Sequence, residues 1–68
     1  MQDFTLKEDS IELFKLLKAS LLCGSGGEAK MLIAEGLVTV DGEVELRKRC
    51  KIRSGQVVEL EGQQVKVV

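Results

Sequence analysis

Proline, histidine, tryptophan and tyrosine are missing altogether from this 68-residue chain, which has only two Cys and two Phe. Without His it lacks the commonest general base and every Ser-His or Cys-His nucleophile arrangement. A structural zinc site normally takes four Cys or His ligands. Cys23 and Cys50, 27 positions apart and outside any CxxC pattern, do not supply one. No metal and no cofactor are therefore expected. The N-terminus Met1-Gln2-Asp3-Phe4-Thr5-Leu6 lacks a basic region leading into an apolar run, so no signal peptide is expected. No apolar stretch approaches the roughly 20 residues of a membrane span. These features predict a cytoplasmic protein with no membrane partner, in which both thiols are reduced, buried and inert.

Net charge is also scarce, at -1, yet the cations are not evenly spread. Arg47-Lys48-Arg49-Cys50-Lys51-Ile52-Arg53 holds five of the ten Lys and Arg with no acid among them. A nearly neutral chain with such a run is addressed to a polyanion. If residues 46–53 are extended, Arg47, Arg49, Lys51 and Arg53 share one face, while Leu46, Cys50 and Ile52 point to the core. Cations on an edge strand also discourage aggregation, but one or two lysines suffice for that. The neighbouring charges could lower the pKa of Cys50, but a thiol enzyme would need a base and a pocket that the sequence does not offer.

Sixty-eight residues and 44% apolar content allow one small aliphatic core, hence a single domain over residues 1–68. Phe4 and Leu6 alternate and predict a short edge strand. Lys7-Glu8-Asp9-Ser10 offers acids and a hydroxyl at a helix start. Leu13, Phe14, Leu16, Leu17 and Leu21 then recur at helical spacing, predicting a helix near residues 10–19. Ser25 with Glu28 three residues later is a capping box. It starts a second helix, near residues 26–35, whose buried stripe is Ala29, Leu32 and Ile33. Gly36 and Leu37 close it as a Schellman motif. The rest is β, with strands in parts of 38–60 and at 64–68. Asp41-Gly42 and Glu61-Gly62 are turns. A two-residue loop at Asp41-Gly42 pairs Val40 with Glu43. A three-residue loop pairs Val40 with Val44 and Val38 with Leu46, apolar with apolar, and is favoured. The predicted fold is α+β, two helices packed on a small, mostly antiparallel sheet.

Gly24-x-Gly26-x-x-Ala29 formally fits a dinucleotide fingerprint, but a helix precedes it and the chain is too short for the doubly wound sheet. A helix N-terminus flanked by Gly26 and Gly27 can still receive a phosphate, although the glycines also serve a tight helix–helix turn.

The segment 25–42, SGGEAKMLIAEGLVTVDG, resembles the core of the RNA-binding domain of small-subunit ribosomal protein S-four, the alpha-L RNA-binding motif. Gly55-Gln56-Val57-Val58 matches its later Gly-x-x-Val, and the resemblance covers about residues 11–60. Arg47-Lys48-Arg49-Cys50-Lys51-Ile52 resembles the stand-alone bacterial YbcJ type. The resemblance implies non-catalytic binding of structured RNA through the second helix and the loop-strand region after the turn. A rigid basic patch suits a folded RNA surface, ribosomal or transfer, and ribosome association is an expected setting. It makes Ser25 the helix cap, Lys30 an RNA-facing residue of the second helix, and Arg47, Lys48, Arg49 and Lys51 the basic segment. Arg53 extends that segment, and Gly26 and Gly27 flank the possible phosphate contact. The chain departs from the family at Gly26, usually Arg, at Phe14, often Asp, and at Glu12, frequently basic. Binding then rests more on Lys30 and the basic segment. With both Phe on apolar stripes, no platform remains for stacking splayed bases. The alternative is a small protein-interaction module whose basic strand meets an acidic partner. Four acids against one Lys in the first twelve residues even permit self-association.

Overall fold

The computed structural model describes residues 2–68; Met1, the first residue of the expected domain, lies outside them. In chain order the elements are β1 (Gln2–Phe4), β2 (Ile11–Glu12), α1 (Leu13–Ala19), α2 (Gly26–Ala34), β3 (Val38–Val40), β4 (Glu43–Val44), β5 (Lys51–Ile52), β6 (Val57–Leu60) and β7 (Gln63–Val67). Five strands form one sheet in the order β1-β7-β6-β3-β4, antiparallel except for β1 against β7. A second pair, β2 with β5, lies beside it. Leu13, Leu16 and Leu17 of α1 and Ala29 and Ile33 of α2 are buried against Val38, Val58, Leu60, Val65 and Val67 of the sheet. This is the expected α+β architecture.

The ends of α2 follow the sequence signals. Glu28 donates its N–H to Ser25 Oγ at 3.1 Å, and its carboxylate accepts the Gly24 N–H at 3.0 Å. At the other end Leu37 N–H reaches Leu32 O (3.2 Å) and Gly36 N–H reaches Ile33 O (3.0 Å), the two bonds of a Schellman motif. Gly36 takes φ 78°, which a side chain would resist.

Helix α1 ends at Ala19 as expected but differs from expectation at its start. It begins at Leu13, because Ile11 and Glu12 are held extended opposite Ile52 and Lys51. No side chain caps it. Instead the Leu13 and Phe14 N–H groups donate to Cys50 O (2.9 Å) and Lys48 O (3.0 Å). Those partners lie far away in sequence, where no local capping rule could find them. Leu21, expected on the helix stripe, lies past the end in the left-handed region (φ 65°) and is 86% exposed.

The β3–β4 hairpin also departs from the favoured register. Val40 pairs with Glu43 and Thr39 with Val44, so the loop has two residues. Asp41 and Gly42 both have positive φ, 52° and 86°, as a type I′ turn requires. Contacts from β6 hold Asp41 there. Its N–H donates to Val57 O (2.8 Å), and its carboxylate accepts the Val57 N–H (3.0 Å) and Gln56 Nε2 (3.1 Å). Glu45 N–H then donates to Val38 O (3.1 Å), which puts Glu45, not Leu46, opposite Val38. Leu46, expected in the core, is 62% exposed, and Val44 is exposed too.

Candidate nucleic-acid interface

The basic run is not one extended strand. Only Lys51–Ile52 is β, and residues 47–50 form a turn closed by Cys50 N–H on Arg47 O at 3.1 Å. The expected common face of Arg47, Arg49, Lys51 and Arg53 is therefore replaced by a turn with Lys48 and Arg49 at its tip. Its physical cause is the pull of α1. The two uncapped amides of that helix fix the Lys48 and Cys50 carbonyls, and an extended chain is given up to feed them. Ile52 is fully buried as expected, and Cys50 is half-buried against the core.

Lys48, Arg49, Lys51 and Arg53 are all exposed, and among the described residues none of them is in an ion pair. Their surroundings differ. Lys51 faces Glu12 across the β2–β5 pair and shares a surface depression with Glu8 and Glu12. The Glu12 carboxylate itself engages Lys15 at 3.3 Å. Arg53 is fixed through its backbone, whose N–H donates to Gln56 Oε1 at 2.8 Å. Gln56 is in turn tied to Asp41. The two hydrogen bonds on Asp41, chiefly from the Val57 amide, hold its carboxyl below the usual carboxylate range.

Phe14 joins this turn to α2. Its N–H holds Lys48 O, while the Lys30 ammonium lies 4.8 Å from its ring centroid, a cation–π distance. A Cβ on Gly26 would stand 3.8 Å from the same ring. Gly26, Phe14, Lys30 and the cationic turn are therefore continuous. Ser25 Oγ and the Glu28 carboxylate already occupy much of the α2 N-terminus, which weakens it as an anion cradle. The Gly26 and Gly27 amides have no internal acceptor among the described residues.

Arg47 is placed differently from the other cations. Its Nε donates to Glu45 Oε2 at 3.0 Å and its Nη2 to Glu45 Oε1 at 3.2 Å, and its own N–H also reaches Oε2 at 3.0 Å. These bonds, the side-chain ones foremost, pull the Glu45 carboxyl down to about 2. Glu45 was not among the residues expected at the site. A two-residue loop at Asp41-Gly42 is the signal that would have found it, since that register turns Glu45 toward the Val38 side of the hairpin. The Cys50 thiol, 3.9 Å from Arg47 Nη2, is pushed up by burial and then by Glu45. That is the opposite of what a nucleophilic thiol needs. Among the described residues no group of three His, Cys, Asp or Glu could hold a metal ion, and no helix is long and apolar enough to cross a membrane.

The chain is similar to several known proteins. YbcJ of Escherichia coli is 52% identical over 69 aligned residues, covering 100% of this chain and 99% of its own. Its solution structure, reported to reveal an alfaL motif involved in RNA-binding, matches all of this chain and 87% of that one with a TM-score of 0.78. The tyrosine–tRNA ligase of Moorella thermoacetica is 36% identical over 61 residues, 87% of this chain but 15% of the ligase. The 30S ribosomal protein S4e of Thermoplasma acidophilum aligns with a TM-score of 0.72 at 29% identity, covering 85% of this chain and 31% of that protein. The S4 domain model matches residues 4–68, and the chain belongs to the S4 domain family.

Proposed function

We propose that this protein binds structured RNA through the cationic turn and Lys30, without catalysing a reaction. One observation carries the reading. Lys48, Arg49, Lys51 and Arg53 project from a segment anchored on α1, with Lys30 adjacent across Phe14 and, among the described residues, no ion pair on any of the five. Backbone anchoring fixes the charges in space, which suits a rigid phosphate array better than a flexible strand. The YbcJ motif is reported as involved in RNA-binding, which supports the same ligand class. Both Phe are half-buried, and Phe14 already carries Lys30, so stacking on unpaired bases contributes little. A folded ribosomal or transfer RNA in the cytoplasm is the ligand these features favour.

Phosphate neutralisation by four to five cations makes log affinity fall with log salt at a slope of about -3 to -5. Fluorescence anisotropy with a hairpin RNA across a salt series reads this directly. Removing two tip charges, Lys48→Gln with Arg49→Gln, should flatten the slope by about 2. A wild-type slope near zero, or an unchanged slope in the double variant, refutes the assignment. An acidic protein partner would show similar salt dependence, so total cell protein competing the RNA away would favour that class instead.

A further inference from the structure

We propose that Glu45 and Arg47 form a strut that positions the cationic turn, and that Arg47 itself is not a phosphate ligand. The inference rests on the RNA-binding reading above and divides the basic run into one positioning residue and four contacting ones.

The geometry is that of a closed ring. Both carboxylate oxygens of Glu45 are taken by the Arg47 guanidinium, at 3.0 and 3.2 Å, and the Arg47 amide adds a third bond at 3.0 Å. The Arg47 carbonyl then accepts the Cys50 N–H that closes the tip turn, and the guanidinium lies over Cys50 Sγ at 3.9 Å. Backbone and side chain of Arg47 thus fix the two ends of the turn that displays Lys48 and Arg49. Most surface ion pairs do little, but bidentate pairs are the exception, and this one also holds a backbone amide. The two partners are unequally exposed, the Glu45 side chain at 18% and that of Arg47 at 78%. A phosphate that drew Arg47 away would leave a half-buried carboxylate without its partner, at a cost in desolvation that the phosphate contact would have to offset. With Glu45 about 3 Å from the guanidinium, Arg47 brings no net positive charge to an RNA strand. It would therefore release no condensed counterion from the RNA.

A strut and a ligand respond oppositely to substitution. If Arg47 binds phosphate, Arg47→Lys keeps the charge and most of the affinity, and Glu45→Gln removes a repelling acid and tightens binding. If it is a strut, Lys cannot reproduce the bidentate fork. Both Arg47→Lys and Glu45→Gln then weaken binding by roughly three- to tenfold, the factor for ordering one or two side chains on association. The salt slope of Arg47→Lys stays at the wild-type value, whereas Arg49→Gln flattens the slope by about 0.9. The double variant Glu45→Gln with Arg47→Lys should be no weaker than either single variant. Salt-dependent anisotropy with the hairpin RNA, on variants whose thermal melts match wild type, supplies every reading. Arg47→Lys, at an exposed side chain, keeps the test available if Glu45→Gln disturbs the fold. Tighter binding by Glu45→Gln, or wild-type affinity in Arg47→Lys, overturns the strut while leaving RNA binding intact. A wild-type protein with no salt-dependent binding overturns both.

Discussion

Gly26→Arg tests how far the RNA surface extends beyond the turn. The S4-domain resemblance places an Arg beside the helix cap, and this chain has Gly. Nothing in the backbone forbids the side chain. A Cβ at residue 26 would meet Phe14 Cδ2 and Cε2 at 3.8 and 3.9 Å, ordinary van der Waals contact, and Gly26 does not have positive φ. Replacing Gly by Arg in a helix gains about 0.8 kcal/mol of propensity. A cation at the helix N-terminus opposes the dipole by about 0.3–1 kcal/mol. The terms nearly cancel, so the denaturation midpoint should hardly move. If RNA passes the α2 N-terminus, one more phosphate contact should steepen the slope of log affinity on log salt by about 0.9. Over the range 50 to 200 mM salt, affinity should then fall about 3.5-fold more than it does for wild type. Anisotropy titrations at four salt concentrations resolve such a factor. An unchanged slope would refute a contact at the cap and confine the interface to the turn and Lys30.

Three further outcomes follow from the packing and the ionisation. Leu21→Gly should stabilise the protein by about 0.5–1 kcal/mol in urea, because a left-handed Leu costs about 1–2 kcal/mol and this one is 86% exposed; a destabilised variant would contradict the strain. Ile52→Ala should cost about 2–5 kcal/mol, since the side chain is fully buried, yet it removes no cation; a loss under about 1 kcal/mol would mean that the β2–β5 pair is not part of the core. The carboxyls of Glu45 and Asp41 are held below their ordinary values, Glu45 at about 2 against 4.5, so they favour the folded state above those ordinary values and lose that contribution as pH falls through the lowered ones. The melting temperature should decline from about pH 4.5 toward 2, and Glu45→Gln should flatten part of that decline; an identical acid profile in the variant would remove Glu45 from the account.

Local signals were legible where both partners lie close in sequence. Ser25 caps Glu28, and Gly36 with Leu37 closes back onto Ile33 and Leu32, within a few residues of one another. The apolar stripes of α2 and the alternation in Val57–Leu60 and Gln63–Val67 are likewise short-range patterns. Apart from Leu21, which lies just past the end of α1, the misreadings have a distant partner. Helix α1 is capped by carbonyls more than thirty residues away, so Ser10 and the acids before it looked like a helix start that the chain does not use. The Asp41 turn is decided by Val57 and Gln56, and apolar matching of Val38 with Leu46 gave the wrong register because β6 overrides it. The strand of cations failed for the same reason. Alternation assumes that the backbone is satisfied by a neighbouring strand, whereas the Lys48 and Cys50 carbonyls are claimed by α1.

That substitution bears on function as well as on folding. A flat strand would have carried four like charges on one face, spaced by the pleat and repelling one another. The turn spreads them. Lys48 and Arg49 stand at its tip, Lys51 lies near Glu12, and Arg53 follows at the foot, its backbone held by Gln56. Glu45 neutralises Arg47, the cation nearest the hairpin, and uses the same three bonds to fix the turn. Of five cations in sequence, one is thus held by Glu45, and four have no ion pair among the described residues. The hairpin register enters here, because it sets Glu45 opposite Val38 with its side chain only 18% exposed, and Arg47, two residues on, lies within reach of that carboxylate. The two-residue turn at Asp41-Gly42 therefore sets the shape of the candidate RNA surface, although neither residue carries a positive charge.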